Sequence, residues 1–164
     1  MILGIISDTH DHLQKISQAI QVFQKEQVGA VIHCGDFVAP FAIKLFQQLS
    51  CPFYAVFGNN DGERQGLLNT VSPFGELHSP PHIWTIAGKR IYVAHAPVSE
   101  MDIAELSERP DYIVFGHTHK AEVTKCRGIT AINPGEACGW LSHEPSIGLL
   151  HLDSGEYRKV MLDA

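Results

Sequence analysis

"MILGIISDTHDHLQKISQAIQVFQ", residues 1–24, holds the pattern on which the fold turns. The apolar run through Ile6 stops at Ser7-Asp8, as a buried strand does at its end. Leu13, Ile16, Ile20 and Phe23 then recur at helical spacing, one apolar stripe on an amphipathic helix. Asp11 is expected to cap that helix with Gln14 as its capping-box partner, and Gly29 to end it. The same unit repeats downstream. "AVIHCG" (30–35) reads as a second buried strand running into Asp36, and "FYAVFG" (53–58) as a third running into Asn59-Asn60-Asp61. Pro40 suits the first turn of an intervening helix, with Phe41, Leu45 and Leu49 on one face. Strand–helix–strand–helix–strand order implies parallel pairing under a cover of helices, an α/β architecture.

The second half is richer in strands. "HIWTIAGKRIYVAHA" (82–96) reads as a hairpin turning at Ala87-Gly88-Lys89, and a short helix is expected near Ser99 with Ile103 and Leu106 inward. "DYIVFG" (111–116) is another buried strand. "AEVTKCRGITAIN" (121–133) and "IGLLHLDSGEYRKVML" (147–162) are hairpins turning at Arg127-Gly128 and Asp153-Ser154-Gly155. No repeat or long linker interrupts the 164 residues, so one domain over 1–164 is expected.

Composition narrows the function. An apolar fraction of 45% with 18% charged residues is that of a soluble globular chain. The net charge of −6 supplies no basic field, which argues against long nucleic acid as a substrate. No apolar run approaches the ~20 residues that span a bilayer, and the start lacks the basic residues of a signal peptide. Cys34, Cys51, Cys126 and Cys138 form no C-x-x-C pair and read as reduced thiols, which fits a cytoplasmic protein.

The polar residues fall where the strands end. Asp8 and His10 follow the first, Asp36 the second, Asn59 and Asp61 the third; His95 follows the hairpin strand, and His117 and His119 follow "DYIVFG". Each Asp taken singly also reads as a turn or cap residue, and two histidines in a turn can be solvated. In an extended segment His117 and His119 would project together. Taken jointly, sites in α/β sheets form beyond the carboxyl ends of strands, so these side chains are expected to converge. Oxygen and imidazole donors without thiolate favour Mn²⁺, Fe, Zn²⁺ or Ni²⁺. So many donors suit two ions sharing a carboxylate, the arrangement used for phosphoryl transfer.

The ordered set Asp8-x-His10, Gly35-Asp36, Gly58-Asn59-Asn60-Asp61, His95 and Gly116-His117-Thr118-His119 resembles the calcineurin-like metallophosphoesterase superfamily. Chain size and "INPGE" (132–136) resemble its small bacterial and archaeal phosphodiesterase branch. The resemblance implies a four-layer α-β-β-α sandwich of two mixed sheets flanked by helices. It implies one divalent ion on Asp8, His10, Asp36 and His119, and a second on Asp36, Asn59, His95 and His117. Mn²⁺ is the expected ion, with Fe, Zn²⁺ or Ni²⁺ as alternatives, and the nucleophile is a hydroxide bridging both. Asn133, Pro134 and Gly135 would shape a loop near the site.

One position departs from the pattern. Many members carry histidine where this chain has Asn60, and an amide cannot serve as a general acid near neutral pH. Asn60 and Asp61 are therefore expected in supporting catalytic roles, with Asn59, Asn60 and His12 against a small phosphate-ester substrate. His12 reads equally as a surface residue at a helix start. His33 reads as a core or supporting residue, and Trp84 and Trp140 as core or interface residues rather than substrate platforms. The leading reading is a metal-dependent phosphodiesterase. The alternative is a protein-binding scaffold on the same fold, as in the retromer subunit that resembles this superfamily. Assembly as a homo-oligomer stays open.

Overall fold

The computed structural model describes residues 1–163. Its first sheet has six strands: β1 (Ile2–Ile6), β2 (Ala30–His33), β3 (Phe53–Val56), β4 (Gly75–His78), β10 (Ser146–His151) and β11 (Tyr157–Met161), in the order β11-β10-β1-β2-β3-β4. β1 to β4 pair in parallel, while β10 joins β1 antiparallel. The second sheet is β5 (His82–Ile86), β6 (Lys89–Val93), β7 (Tyr112–Val114), β9 (Ile129–Pro134) and β8 (Ala121–Cys126), in that order. It is mixed too: β6, β7 and β9 run parallel, and β5 and β8 are antiparallel edges.

Three apolar layers follow from strand alternation. Leu3 and Ile5 of β1 face inward with Ile32, Val56, Ile91, Val93, Val114, Ile132 and Leu150, so the two sheets pack face to face. Ile6, Val31, Phe53, Ala55, Ile147 and Leu149 point the other way, against α1 (Leu13–Lys25), α2 (Pro40–Ile43) and α3 (Arg64–Val71). On the far side, Tyr92, Ile113, Phe115, Ile129 and Ala131 pack with Ile103 of α4 (Glu100–Ala104). These are the expected four α-β-β-α layers. Gly4 shows how close the first helix lies: a Cβ there would meet ring carbons of Phe23 at 2.7 Å.

Several local expectations are corrected. Asp11 does not cap α1; its Oδ1 accepts from the Ala39 amide at 2.9 Å, and His12 takes the cap position without a side-chain bond. No capping box with Gln14 forms, and Leu13 is exposed while Ile16, Ala19, Ile20 and Phe23 carry the buried face. Gly29 is not the stop. Gln27 adopts φ 52°, with its amide bonded to Gln24 and that of Val28 to Phe23, a Schellman closure on a non-glycine residue. Pro40 does open α2, but after one turn the chain tightens into a 3-10 segment, Lys44–Gln48. The change of pitch turns Ala42, Ile43 and Phe46 inward, leaving Phe41 exposed and Leu45 and Leu49 half-buried. The capping box that does form is at Ser99, whose hydroxyl accepts from the Asp102 amide at 3.2 Å.

Replacing Gly4 by Ala should displace the Phe23 ring and destabilise the fold by about 1–3 kcal/mol. The double variant Gly4→Ala/Phe23→Leu should recover part of that loss in urea unfolding. Additive losses would mean the two residues do not press on each other.

Candidate metal centre

The loops after β1 and β2 are zipped together by main chain. Asp8 N bonds to Gly35 O (3.0 Å), Thr9 N and His10 N to Asp36 O (3.1 Å each), and Asp11 N to Phe37 O (3.1 Å). His33 sits beneath this seam, accepting from Gly35 N on Nδ1 and meeting Thr9 Oγ1 with Nε2, both at 3.1 Å. Burial holds its pKa well below the ordinary histidine value, consistent with a neutral ring in that role. The loop after β3 is fastened through Asp61. Its carboxylate accepts from the amides of Gly58 (2.7 Å), Phe37 (2.8 Å), Val38 (2.8 Å) and Asp36 (3.0 Å). Asp61 thus binds the loops to each other with both oxygens turned to backbone. Gly58 passes so near that a Cβ would lie 2.1 Å from Asp36 Oδ1.

Asp8, His10, Asp36, His117 and His119 all adopt left-handed φ, between 38° and 70°. That is why His117 and His119 do not project together as an extended pair would. His117 turns towards Asn59, whose Oδ1 lies 2.8 Å from its Nδ1. His119 turns towards Asp8, with Nε2 3.8 Å from Oδ1, and stacks on His10. One turn therefore feeds two neighbouring clusters.

In the first cluster, Asp8 Oδ1 lies 3.9 Å from His10 Nε2 and 3.8 Å from His119 Nε2, and His10 Nε2 lies 3.7 Å from Asp36 Oδ2. In the second, Asn59 Oδ1 lies 2.8 Å from His95 Nε2, which is 3.4 Å from Asp36 Oδ2 and 3.2 Å from His117 Nδ1. Asp36 belongs to both. His95 bonds through Nδ1 to the Cys34 carbonyl (2.8 Å), which leaves Nε2 facing Asn59 and Asp36 in the second cluster. Asp8 Oδ1 and His10 Nε2 are buried without a hydrogen-bond partner. Burial raises the Asp8 pKa against the help of Ser7 and the imidazoles. Burial also opposes the charge on Asp36, but bonds from His95 and Asn60 outweigh it and hold the carboxyl well below its usual range. The unpartnered Asp8 Oδ1 and His10 Nε2, beside the converging oxygens and imidazole nitrogens, suit a bound cation, and the donor chemistry is that of borderline divalent ions.

Asn60 faces Asp36, its amide reaching Oδ1 and its Nδ2 reaching Oδ2, both at 2.8 Å. His12 stacks on Trp140, with 4.5 Å between ring centroids. Trp84 is buried between the sheets, whereas Trp140 is 58% exposed and belongs to no core. Asn133 donates to Gly116 O and Thr118 Oγ1, both at 3.0 Å, and so shapes the turn that carries both histidines.

Glu136 is a residue that sequence reasoning passed over. It is fully buried, and its Oε2 accepts from His119 Nδ1 at 2.7 Å, which fixes the ring with Nε2 towards Asp8. Its other oxygen takes the amides of Leu141 (2.8 Å) and Ser142. Burial works against its charge, but Ser142 and His119 prevail and hold the pKa down at about 2. The one available signal was a carboxylate directly after a glycine in an otherwise apolar stretch.

Comparison with known proteins agrees with this fold. A family model described as the calcineurin-like phosphoesterase superfamily domain matches residues 1–155. A phosphodiesterase of Methanocaldococcus jannaschii is 39% identical over 99% of this chain and all of its own length. A solved structure of an archaeal phosphodiesterase superposes with a TM-score of 0.90 at 38% identity, covering 99% of this chain and 100% of that one. Yfce, a phosphoesterase from E. coli, shares the fold at TM-score 0.74 and 19% identity, covering 99% of this chain and 100% of its own. Clustered donors at the strand ends, two mixed sheets and a match across nearly the whole length have one reading: the chain belongs to the calcineurin-like phosphoesterase superfamily.

Proposed function

We propose that this protein is a metal-dependent phosphodiesterase in which Asp8, His10, Asp36 and His119 hold one divalent ion and Asp36, Asn59, His95 and His117 the other. The convergence of Asp36 with both clusters is the observation that carries this reading. Ions of this kind supply an activated water nucleophile and neutralise charge on phosphate oxygens. The chain's own residues do the rest. Asp61 and Gly58 keep the loops after β2 and β3 in register, Asn60 steadies the Asp36 carboxylate, and Glu136 orients His119.

Mn²⁺ is our choice of ion, supported by the mixture of carboxylate, amide and imidazole donors. Asn60 bears on which leaving groups the site tolerates. With no acid there to protonate a leaving oxygen, the site favours esters whose leaving group departs as a stable anion. The 39% identical relative is itself named a phosphodiesterase. The full donor set weighs against a purely scaffolding role. Four free cysteines favour a reducing cytoplasmic setting, and no described helix is long and apolar enough to cross a membrane. The acidic balance favours a small phosphate ester over long nucleic acid.

Hydrolysis of bis(p-nitrophenyl) phosphate should require added Mn²⁺ and fall by at least about 10²-fold in Asp36→Asn, with bound metal lost in elemental analysis. Metal-independent turnover, or an unaffected variant, would sink the reading. Asn60→His should raise activity on methyl phosphate, whose leaving alkoxide needs a proton, by about 10²-fold; an unchanged rate would show that the amide is not what limits esters with poor leaving groups. Glu136→Gln should weaken Mn²⁺ binding about 10–100-fold in a calorimetric titration while the thermal transition stays cooperative.

A further inference from the structure

A cavity of about 460 Å³ opens beside the second cluster, with Asn59, His95 and His117 forming one edge. Ligand pockets usually fall in this size range. Its other walls are largely apolar: the Pro80-Pro81 turn stands on one side and the Ala96-Pro97-Val98 segment on another. Arg64 stands at the border, its guanidinium 4.9 Å from the centroid of the Phe57 ring. Among the described residues no carboxylate pairs with that guanidinium. The centre therefore has a roomy, largely apolar recess on its His95–His117 side.

We propose that this recess seats the ester group a phosphodiester keeps after hydrolysis, and that the group is apolar and ring-sized, an aryl rather than a small alkyl. The inference rests on the phosphodiesterase reading and names its substrate class. A phosphate held at Asn59, His95 and His117 places a neighbouring ester oxygen at the mouth of the cavity, which continues directly from those residues. A guanidinium stacks readily on a flat π-face and has little to offer a methyl group. In the reaction, the water oxygen bonds to phosphorus and the bond to the leaving oxygen breaks. That oxygen leaves with the electron pair, and the water proton passes to solvent. The group in the recess remains on the product monoester.

The test compares phenyl p-nitrophenyl phosphate with methyl p-nitrophenyl phosphate in Mn²⁺, because both release the same nitrophenolate. The phenyl ester should show a KM about tenfold or more below that of the methyl ester. Val98→Trp, which fills the recess, should bring the two KM values together. Equal KM values in the wild-type protein, or a ratio untouched by Val98→Trp, would overturn the proposal. Should neither diester turn over, affinities for phenyl phosphate and methyl phosphate measured by calorimetry decide it. Equal binding removes the recess proposal. Tighter phenyl phosphate keeps it and removes only the hydrolytic reading.

Discussion

Four main-chain amides converge on the buried carboxylate of Asp61, and the geometry of the centre depends on that convergence. Three of them come from the loop after β2 and one from the loop after β3, so a single side chain fixes two strand ends against each other. A bond from an amide to a charged oxygen is stronger than a neutral one, and four leave the carboxylate little freedom. The β2 loop in turn carries the carbonyls that receive Asp8, Thr9, His10 and Asp11. The position of Asp36 between the two clusters follows from this scaffold together with the two bonds Asn60 makes to its carboxylate.

The same loops are held in conformations that side-chain-bearing residues visit reluctantly. Left-handed φ at Asp8, Asp36 and the three histidines is least costly for Asp and His among ordinary residues, yet unfavourable at each place. Burying unpartnered oxygen and nitrogen at Asp8 and His10 adds to the burden. The three apolar layers offset it. A fold with its strand ends braced from two sheets can hold a cluster that a small sheet could not.

Much of this was legible in the residues. Apolar runs ending in Asp, Asn or His gave the strands and the cluster together, because a buried strand and a polar terminus leave different compositions side by side. Less visible were features set by tertiary packing. Residues 62–81 hold α3 and β4; the spacing of Leu67, Leu68 and Val71 hints at the helix, while the short "GELH" strand carries no such periodicity. The exposure of Leu13 depends on how α1 meets the sheet, and the stop at Gln27 on a backbone closure that glycine usually provides. Asp11 and Glu136 have ordinary local contexts, and the partners that give them their roles, Ala39 and His119, are distant in sequence. The divergence of His117 and His119 was hidden because the i, i+2 rule holds for extended chain and fails at a left-handed turn.

The pairing of β1 with β10 bears on when the centre comes into being. Ile2 lies opposite His151, and the residues next to Asp8 are tied to the segment just before β10: Ala137 N bonds to Ser7 O and Cys138 N to Asp8 O. A chain emerging from the ribosome can pair β1, β2 and β3 early, since those contacts are nearer in sequence. The Asp8 turn waits for residues far downstream to close over it. Nascent fragments would therefore carry most of the ligand residues without the pocket that gathers them. The chemistry is in effect withheld until the last strands have joined.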